Sequence, residues 1–548
     1  MVVKTRFYKE AVVYQIYPRS FMDSNNDGVG DLRGIIDKVD YLKSLGINVI
    51  WLSPIYDSPL DDNGYDIRDY YSILEEYGTM DDFKELLAKL HSNGIKLIMD
   101  LVVNHTSDEH KWFLEAKKDK KSKYRDYYFF REKEEINNWT SFFGGTAWSY
   151  NEDSDDYYLH LFSKKQPDLN WTNKEVREEI KNILKFWLDL GVDGFRCDVI
   201  NLISKVEGLP NGRGVLPIIR GNEHYINGPL IHEYLQEIKN EVFSKYEMFT
   251  VGECVFINPK SALSFIEEGI DELNMVFQFD HMGADNYFVK WFVHKFRLRK
   301  LKKALSKWQY EINGKGWNSL YFENHDQARS INRFGSLRYH EKSAKMLSAY
   351  LFFQQGTPYI YQGQEIGMTN PDFKELDDYK DVETHTIYNI GRKKFKFSHK
   401  NMMKRIRWMS RDNARTPMQW NDSLNAGFSK GTPWLKINEN YKEINVDKNI
   451  KDKNSIYYFY KEVIKLKKEI KTLIYGDYKE HSKKSKHLAI YERNYENDKV
   501  VVIVSFSEKV RKFKFPYDLN DYKIILSNYS ENNEKLAPYE VRVYKKID

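Results

Sequence analysis

The sequence predicts an α/β protein: a barrel of eight β-α units with a small domain inserted after its third strand and an all-β domain at its carboxyl end. Three observations predict it. Short apolar runs alternate with amphipathic helical patterns through most of the 548 residues, the arrangement that parallel strands with helical crossovers require. The alternation breaks over residues 104–173, a stretch too long and aromatic-rich for an ordinary loop. Beyond residue 473, helical periodicity gives way to short strand-like runs.

Residues 11–17, 48–53 and 96–103 read as the first three strands. Between the last two, Thr79 and Asp82 have capping-box spacing, Phe83, Leu86, Leu87 and Leu90 follow at helical intervals, and Gly94 stops the helix. The next helix is marked at both ends. Thr172 and Glu175 form the expected capping box, Val176, Ile180, Ile183, Leu184, Trp187 and Leu188 make one apolar stripe, and Gly191 ends it. Further strands are expected at 192–199, 248–254, 275–279, 320–324 and 358–361, with helical patterns near 230–243, 259–268, 298–312 and 340–353. Eight such units can close into a (β/α)8, or TIM, barrel whose reactive face lies at the strand carboxyl ends. The barrel is assigned residues 1–103 and 174–472, and the insertion 104–173. A second long excursion, 362–453, precedes a final helix near 454–468. Residues 473–548, with strands at 487–492, 499–506, 522–526 and 541–544, are assigned to a carboxy-terminal β-sandwich domain.

Composition bounds the partners. The 85 Lys and Arg against 80 Asp and Glu leave a net charge of +5, too even a balance to indicate nucleic acid or a membrane surface. Lysine clusters at 117–123 and 393–400 read as solvated faces. The amino terminus, MVVKTRFYKEAVVYQIYPRS, has no apolar run of signal-peptide length. No stretch reaches the roughly 18 apolar residues of a membrane span. Two cysteines, Cys197 and Cys254, are too few for a disulfide framework. The expectation is a cytoplasmic monomer without an organic cofactor.

Acidic residues recur in or just after the strands: Asp100 in DLVVNH, Asp198 in DGFRCDV, Glu253 in TVGE and Asp326 in ENHD. Any one of them could simply cap the next helix. Four together, each tied to an apolar strand, need a reason, because buried like charges are costly.

These strings, with QPDLNW at 166–171, resemble the signature regions of the α-amylase family of glycoside hydrolases. NGYDIRDY at 63–70 and SRDNARTPMQW at 410–420 resemble more specifically its oligo-1,6-glucosidase branch. The match runs in order from about residue 8 to 435. The resemblance implies Asp198 as nucleophile, Glu253 as general acid/base and Asp326 as the third carboxylate. Arg196, His105 and His325 match residues of a glucose subsite, Asp66 and Arg411 the pair that closes it, and Tyr65 an aromatic platform beneath the sugar. Double displacement fits these residue types: a carboxylate attacks the anomeric carbon while a carboxyl protonates the leaving oxygen. Asp198 and partial desolvation should raise the Glu253 pKa, and Arg196 should hold Asp198 ionised. Strand alternation turns Cys197 and Cys254 away from the barrel mouth, as small buried hydrophobes. Met is commoner in this branch where Cys254 stands.

DSNNDGVGD at 23–31 sets Asp23, Asn25, Asp27 and Asp31 at alternate positions. Hard oxygens so spaced suit calcium, and the resemblance adds the Val29 carbonyl. The expected metal is a structural Ca2+; an Asn/Asp/Gly turn is the plainer alternative. Val199, directly after the nucleophile, accompanies α-1,6 preference in the resembled branch. The implied substrates are short isomalto-oligosaccharides, cut from the non-reducing end. A trehalose-6-phosphate hydrolase shares nearly every motif and would need a phosphate site, for which Lys205, Arg213 and Arg220 are candidates. Enzymes cutting α-1,4 bonds or sucrose are further alternatives, while Val199 and Ile200-Asn201 depart from the sucrose isomerase pattern. A non-catalytic barrel relative would have lost the three carboxylates present here.

Overall fold

A computed structural model describes residues 7–214, 219–287, 289–531 and 534–547; the first six residues of the amino-terminal segment lie outside them. Eight parallel strands form the central sheet: β1 (Val13–Ile16), β2 (Val49–Leu52), β3 (Lys96–Leu101), β4 (Gly194–Cys197), β5 (Phe249–Glu253), β6 (Met275–Phe277), β7 (Ser319–Leu320) and β8 (Thr357–Tyr361). Their order is β6-β5-β4-β3-β2-β1-β8-β7, and a parallel bridge from Val276 to Asn318 joins β6 to β7 and closes the barrel. Nearly every strand residue is buried, because the lumen is filled on one side and helices cover the other.

Two strands are shorter than their apolar runs. β4 ends at Cys197 because the chain then turns through Val199, a β-branched residue at φ 34°. β7 ends at Leu320, and the polar segment beyond it bends back through an Asn324–Gln327 bridge. In both places the departure from strand geometry delivers an acidic residue to the barrel mouth.

The Met80–Ser92 helix carries the expected Thr79–Asp82 capping box. The Lys174–Asp189 helix does not start as expected. Asn173 is its cap, accepting from the Glu175 N–H at 2.8 Å, while the Thr172 hydroxyl donates to Asn170 instead.

The insertion contains a three-stranded antiparallel sheet of Phe130–Arg131, Asp156–Leu159 and Trp148–Asn151. Trp139, Trp148, Leu159 and Leu161 pack in one apolar cluster with Val199, Leu202 and Tyr225 from the loop after β4. Burying these rings fixes the insertion as a wall beside the β4 carboxyl end. The two longest helices of the excursion after β8 are Val382–Lys393 and His399–Met409. At the carboxyl end, a five-stranded antiparallel sheet is built from Asp477–Glu480, Leu488–Tyr495, Asp498–Ser505, Val541–Lys546 and Tyr522–Ser527. A short helix, Lys471–Tyr475, crosses the expected boundary at residue 472. Among the described residues no helix is long and apolar enough to cross a membrane.

Candidate active site

Arg196 points into the barrel from β4 and is buried. Its Nη1 donates to Asp100 Oδ1 and Asp198 Oδ1, each at 2.5 Å, and its Nη2 binds Glu253 Oε2. Asp100 also accepts from Trp51 Nε1 at 2.8 Å. One guanidinium thus serves three carboxylates, on β3, just beyond β4, and at the end of β5.

The charges do not balance, so a proton stays. Burial pushes Asp100 up to about 6, Asp198 up to about 7 and Glu253 up to about 8, with Arg196 opposing each rise. The negative charge of Asp198, and a hydrogen bond between the two carboxyls, add to the rise at Glu253. The shared proton therefore rests on Glu253 in preference to Asp198. The raised Glu253 agrees with the sequence expectation. Asp198 is thus the ionised member of the pair, with Arg196 opposing its rise, although burial outweighs an arginine charge that is divided three ways and leaves its pKa above the ordinary carboxylate range.

Asp326 is in a different environment. Its Oδ1 lies 2.8 Å from Arg415 Nη2 and 3.4 Å from Arg411 Nη1, and its Oδ2 3.2 Å from His325 Nε2. Burial raises its pKa, but His325 and the two arginines outweigh burial and hold the carboxyl well below the usual range. Gln15 Nε2 donates to His325 Nδ1 at 2.8 Å, which leaves the Nε2 proton to point at Asp326. His325 stacks on Tyr65 at 5.1 Å. Burial lowers both His325 and His105 to about 4, so each is a neutral donor. His105 Nε2 donates to the Tyr65 carbonyl at 3.0 Å.

A cavity of about 500 Å3 opens onto these groups, lined by Tyr65, His105, Asp198, Val199, Glu253, Asp326 and Arg411. Its volume is that of a small-molecule site. Phe142, Phe143 and Phe162 of the insertion line it too, as does Glu383 from the helix that begins at Val382. The Arg411 guanidinium lies 5.1 Å from the Phe143 ring centre, so insertion and excursion meet across the pocket. Arg196 and His325 stand behind the carboxylates they position, outside the lining.

Asp66 is not the partner of Arg411. Its carboxylate is fully buried and accepts the Asp61 and Asp62 N–H groups at 2.8 and 3.0 Å. The residue facing Arg411 is Asp62, whose Oδ1 lies 2.8 Å from Arg411 Nη2 and which lines the cavity. Asn63 at φ 52° and Gly64 at φ 103° turn the chain between the two aspartates and decide which faces inward. Asp381 and Arg415 were also missed. Asp381 Oδ1 accepts from Arg411 at 2.6 Å, and fully buried Arg415 donates to the His325 carbonyl at 2.8 Å as well as to Asp326. Arg415 lies inside the SRDNARTPMQW string, a signal that was available. Asp381 has no such marker.

The phosphate candidates separate. Lys205 is buried, 2.8 Å from Asp168 Oδ2 and donating to Asn104 Oδ1 at 2.9 Å, so its charge is already neutralised. Neither Arg213 nor Arg220 is among the described residues lining the cavity. Cys197 and Cys254 are buried thiols, Cys197 pushed up to about 12 and Cys254 well above its ordinary value by burial.

In the 23–31 loop, Asp23 accepts from the Asn25, Asn26 and Gly28 N–H groups. The Asp27 N–H donates to Asn25 and the Val29 N–H to Asp27, while Asp31 caps the Leu32–Asp37 helix. Gly28 has φ 95°, and a Cβ there would lie 1.9 Å from the Thr432 carbonyl oxygen. The loop offers hard oxygen donors, since each carboxylate keeps lone pairs beyond those the amides use, but the oxygens of Asp23, Asp27 and Asp31 do not all lie within 4.8 Å of one another.

The α-amylase catalytic domain matches residues 15–476. The chain is 52% identical to an oligo-1,6-glucosidase of Parageobacillus thermoglucosidasius, over 98% of this chain and 99% of that protein. It is 50% identical to an oligo-1,6-glucosidase of Bacillus cereus, over 99% of this chain and all of that one. A solved structure of trehalose-6-phosphate hydrolase from Bacillus licheniformis superposes with a TM-score of 0.94 at 46% identity, over 98% of this chain and 99% of that chain. From the order of its signature strings, the convergence of its carboxylates and a likeness extending along its whole length, the chain belongs to the α-amylase family of glycoside hydrolases.

Proposed function

We propose that this glycoside hydrolase is a retaining exo-α-glucosidase that releases terminal α-1,6-linked glucosyl units from isomalto-oligosaccharides. The observation that carries the reading is the pair on one guanidinium: Asp198 and Glu253, with Glu253 the more strongly protonated. Asp198 attacks the anomeric carbon as Glu253 gives its proton to the leaving oxygen, and the sugar–oxygen bond electrons leave with the alcohol. Glu253, now anionic, takes a proton from water, which attacks the same carbon and frees Asp198. Asp326 stays anionic and stabilises the oxocarbenium-like states. Arg196 and His325 hold the carboxylates, while Tyr65 and His105 receive the ring and its hydroxyls. Asp62 and Arg411 shut the far end, which favours exo action.

Val199 beside the nucleophile supports the α-1,6 choice, as do the two oligo-1,6-glucosidases at 52% and 50% identity. Among the described residues the cations lining the pocket, Arg411 and Lys290, are both ion-paired, Lys290 with Glu383 at 2.6 Å, which weighs against a phosphorylated substrate. Rates on isomaltose, maltose, sucrose, trehalose and trehalose-6-phosphate decide the matter. Isomaltose should lead, and a lead by trehalose-6-phosphate would refute the substrate while leaving the mechanism. The reading includes a cytoplasmic monomer, the two buried free thiols supporting the cytoplasmic part.

The reading also includes a structural Ca2+, which Asp23, Asn25, Asp27, Asp31 and the Val29 carbonyl would hold; bound there it would tie the loop together. Calcium content by elemental analysis, and a Tm lowered by a chelator and restored by Ca2+, test it. A protein without calcium whose Tm ignores both reagents would remove it.

A further inference from the structure

Among the described residues, Phe256 is the one pocket-lining aromatic that combines a left-handed backbone with high exposure. Its φ is 54°, a conformation that bulky L-residues avoid. The residue is 58% exposed, so it gains little from burial in return. It nevertheless lines the cavity, three residues beyond Glu253.

The backbone strain is imposed from both sides. The Val255 N–H donates to Asn201 Oδ1 at 3.1 Å, and Asn201 Nδ2 donates to the Val255 carbonyl at 3.0 Å. Asn201 is itself fully buried in the loop after β4. Two residues after Phe256 in the chain, Asn258 caps the Pro259–Ile266 helix by accepting from the Ser261 N–H at 3.1 Å. With both flanks pinned, the turn must be made at residue 256. Glycine would make it without strain, yet the position carries a large ring at the pocket lining. Strain held in place by surrounding hydrogen bonds is a mark of functional positions.

Resting on the glucosidase reading above, we infer that Phe256 is a specificity-determining platform for the leaving-group sugar. Glu253 protonates the oxygen on the departing side of the scissile bond, and Phe256 follows it on the same βα-loop. A pyranose offers a face of C–H groups that packs on an aromatic ring. The exposed ring then gains its burial only when the substrate extends beyond the cleaved glucose.

The test compares Phe256→Gly, Phe256→Ala and Phe256→Tyr, reading kcat/KM on isomaltotriose relative to kcat/KM on α-glucosyl fluoride, whose leaving group cannot reach the ring. Gly and Ala should each lower that ratio about five- to tenfold, as loss of an aromatic contact does, and Tyr should restore it. Phe256→Gly should melt no lower than the natural protein, because it relieves the backbone. A ratio unmoved by Gly and Ala overturns the inference, as does a Tm that falls in step with the ratio. If α-glucosyl fluoride is not turned over by the natural protein, the glucosidase reading fails and this inference with it.

Discussion

Two arginine-centred clusters face one cavity and treat their carboxylates in opposite ways. Arg196 alone serves Asp100, Asp198 and Glu253, and burial raises all three. Arg411 and Arg415 together serve Asp326 and Asp381, which burial also penalises, yet both are held well below the usual carboxylate range. Asp100 and Asp381 are equally buried, so the cations within reach make the difference: one guanidinium in the first cluster, two guanidiniums with His325 and Lys290 in the second. Too few positive charges keep a proton where an acid is needed. A denser supply of cations keeps a permanent anion where a cationic transition state must be stabilised. Asp62 sits at the edge of the second cluster; burial raises it and Arg411 draws it back.

The sharpest way to break this comparison is to neutralise one carboxylate in each cluster. Asp198→Asn should cost kcat/KM about 10^4-fold or more, as loss of a member of a catalytic unit does. It should leave Tm unchanged or higher, because a carboxyl whose folded pKa is raised works against folding once ionised. Asp326→Asn should also be nearly inactive but should lose about 1–3 kcal/mol of stability at neutral pH, since buried donors on two arginines lose an acceptor. The sign follows from its depressed pKa: that stability is present above the unfolded value and fades as pH falls. Urea melts of both variants read the contrast, and equal destabilisation would erase it.

Next in size is the pocket end. Asp62→Ala should raise KM on isomaltose about 10- to 100-fold, from loss of a charged hydrogen-bonded contact. A silent Asp62→Ala beside a damaging Asp66→Asn would restore the sequence-based pairing. Within the first cluster, kcat/KM should fall about tenfold per pH unit below about 7, where Asp198 gains its proton, and above about 8, where Glu253 loses its own. A flat profile from 5 to 9 would contradict the shared proton. The smallest effect belongs to Val199→Thr. It should shift the maltose-to-isomaltose preference toward maltose by about 1–3 kcal/mol, read as a ratio of kcat/KM values.

The barrel, the insertion and the three carboxylates were legible because each rests on a local pattern: apolar runs of strand length, a break in period, an acid at a strand end. What escaped depends on backbone direction. Asp61, Asp62 and Asp66 are equivalent as letters, and only the turn at Asn63 and Gly64 selects Asp62. The Val382–Lys393 helix went unseen because just Thr384 and Gly391 of its described residues are buried, leaving no apolar stripe. Asn173 displaced Thr172 as a cap because asparagine is the stronger N-cap and the chain offered both. The size of the rise at Asp198 was hidden for a related reason: spacing placed Arg196 beside it but gave no sign that Asp100 and Glu253 divide the same charge.

The central claim is that Asp198 bonds to the sugar while Glu253 carries the proton. It is tested most directly by supplying α-glucosyl fluoride to the Glu253→Gln variant, which needs no acid for that leaving group but lacks the base that frees the sugar. Mass spectrometry of the digested protein then locates any attached hexose. The account predicts one glucosyl group on the peptide containing Asp198, absent from the Asp198→Asn, Glu253→Gln double variant. Hexose on another carboxylate, or turnover to β-glucose without an adduct, would contradict it.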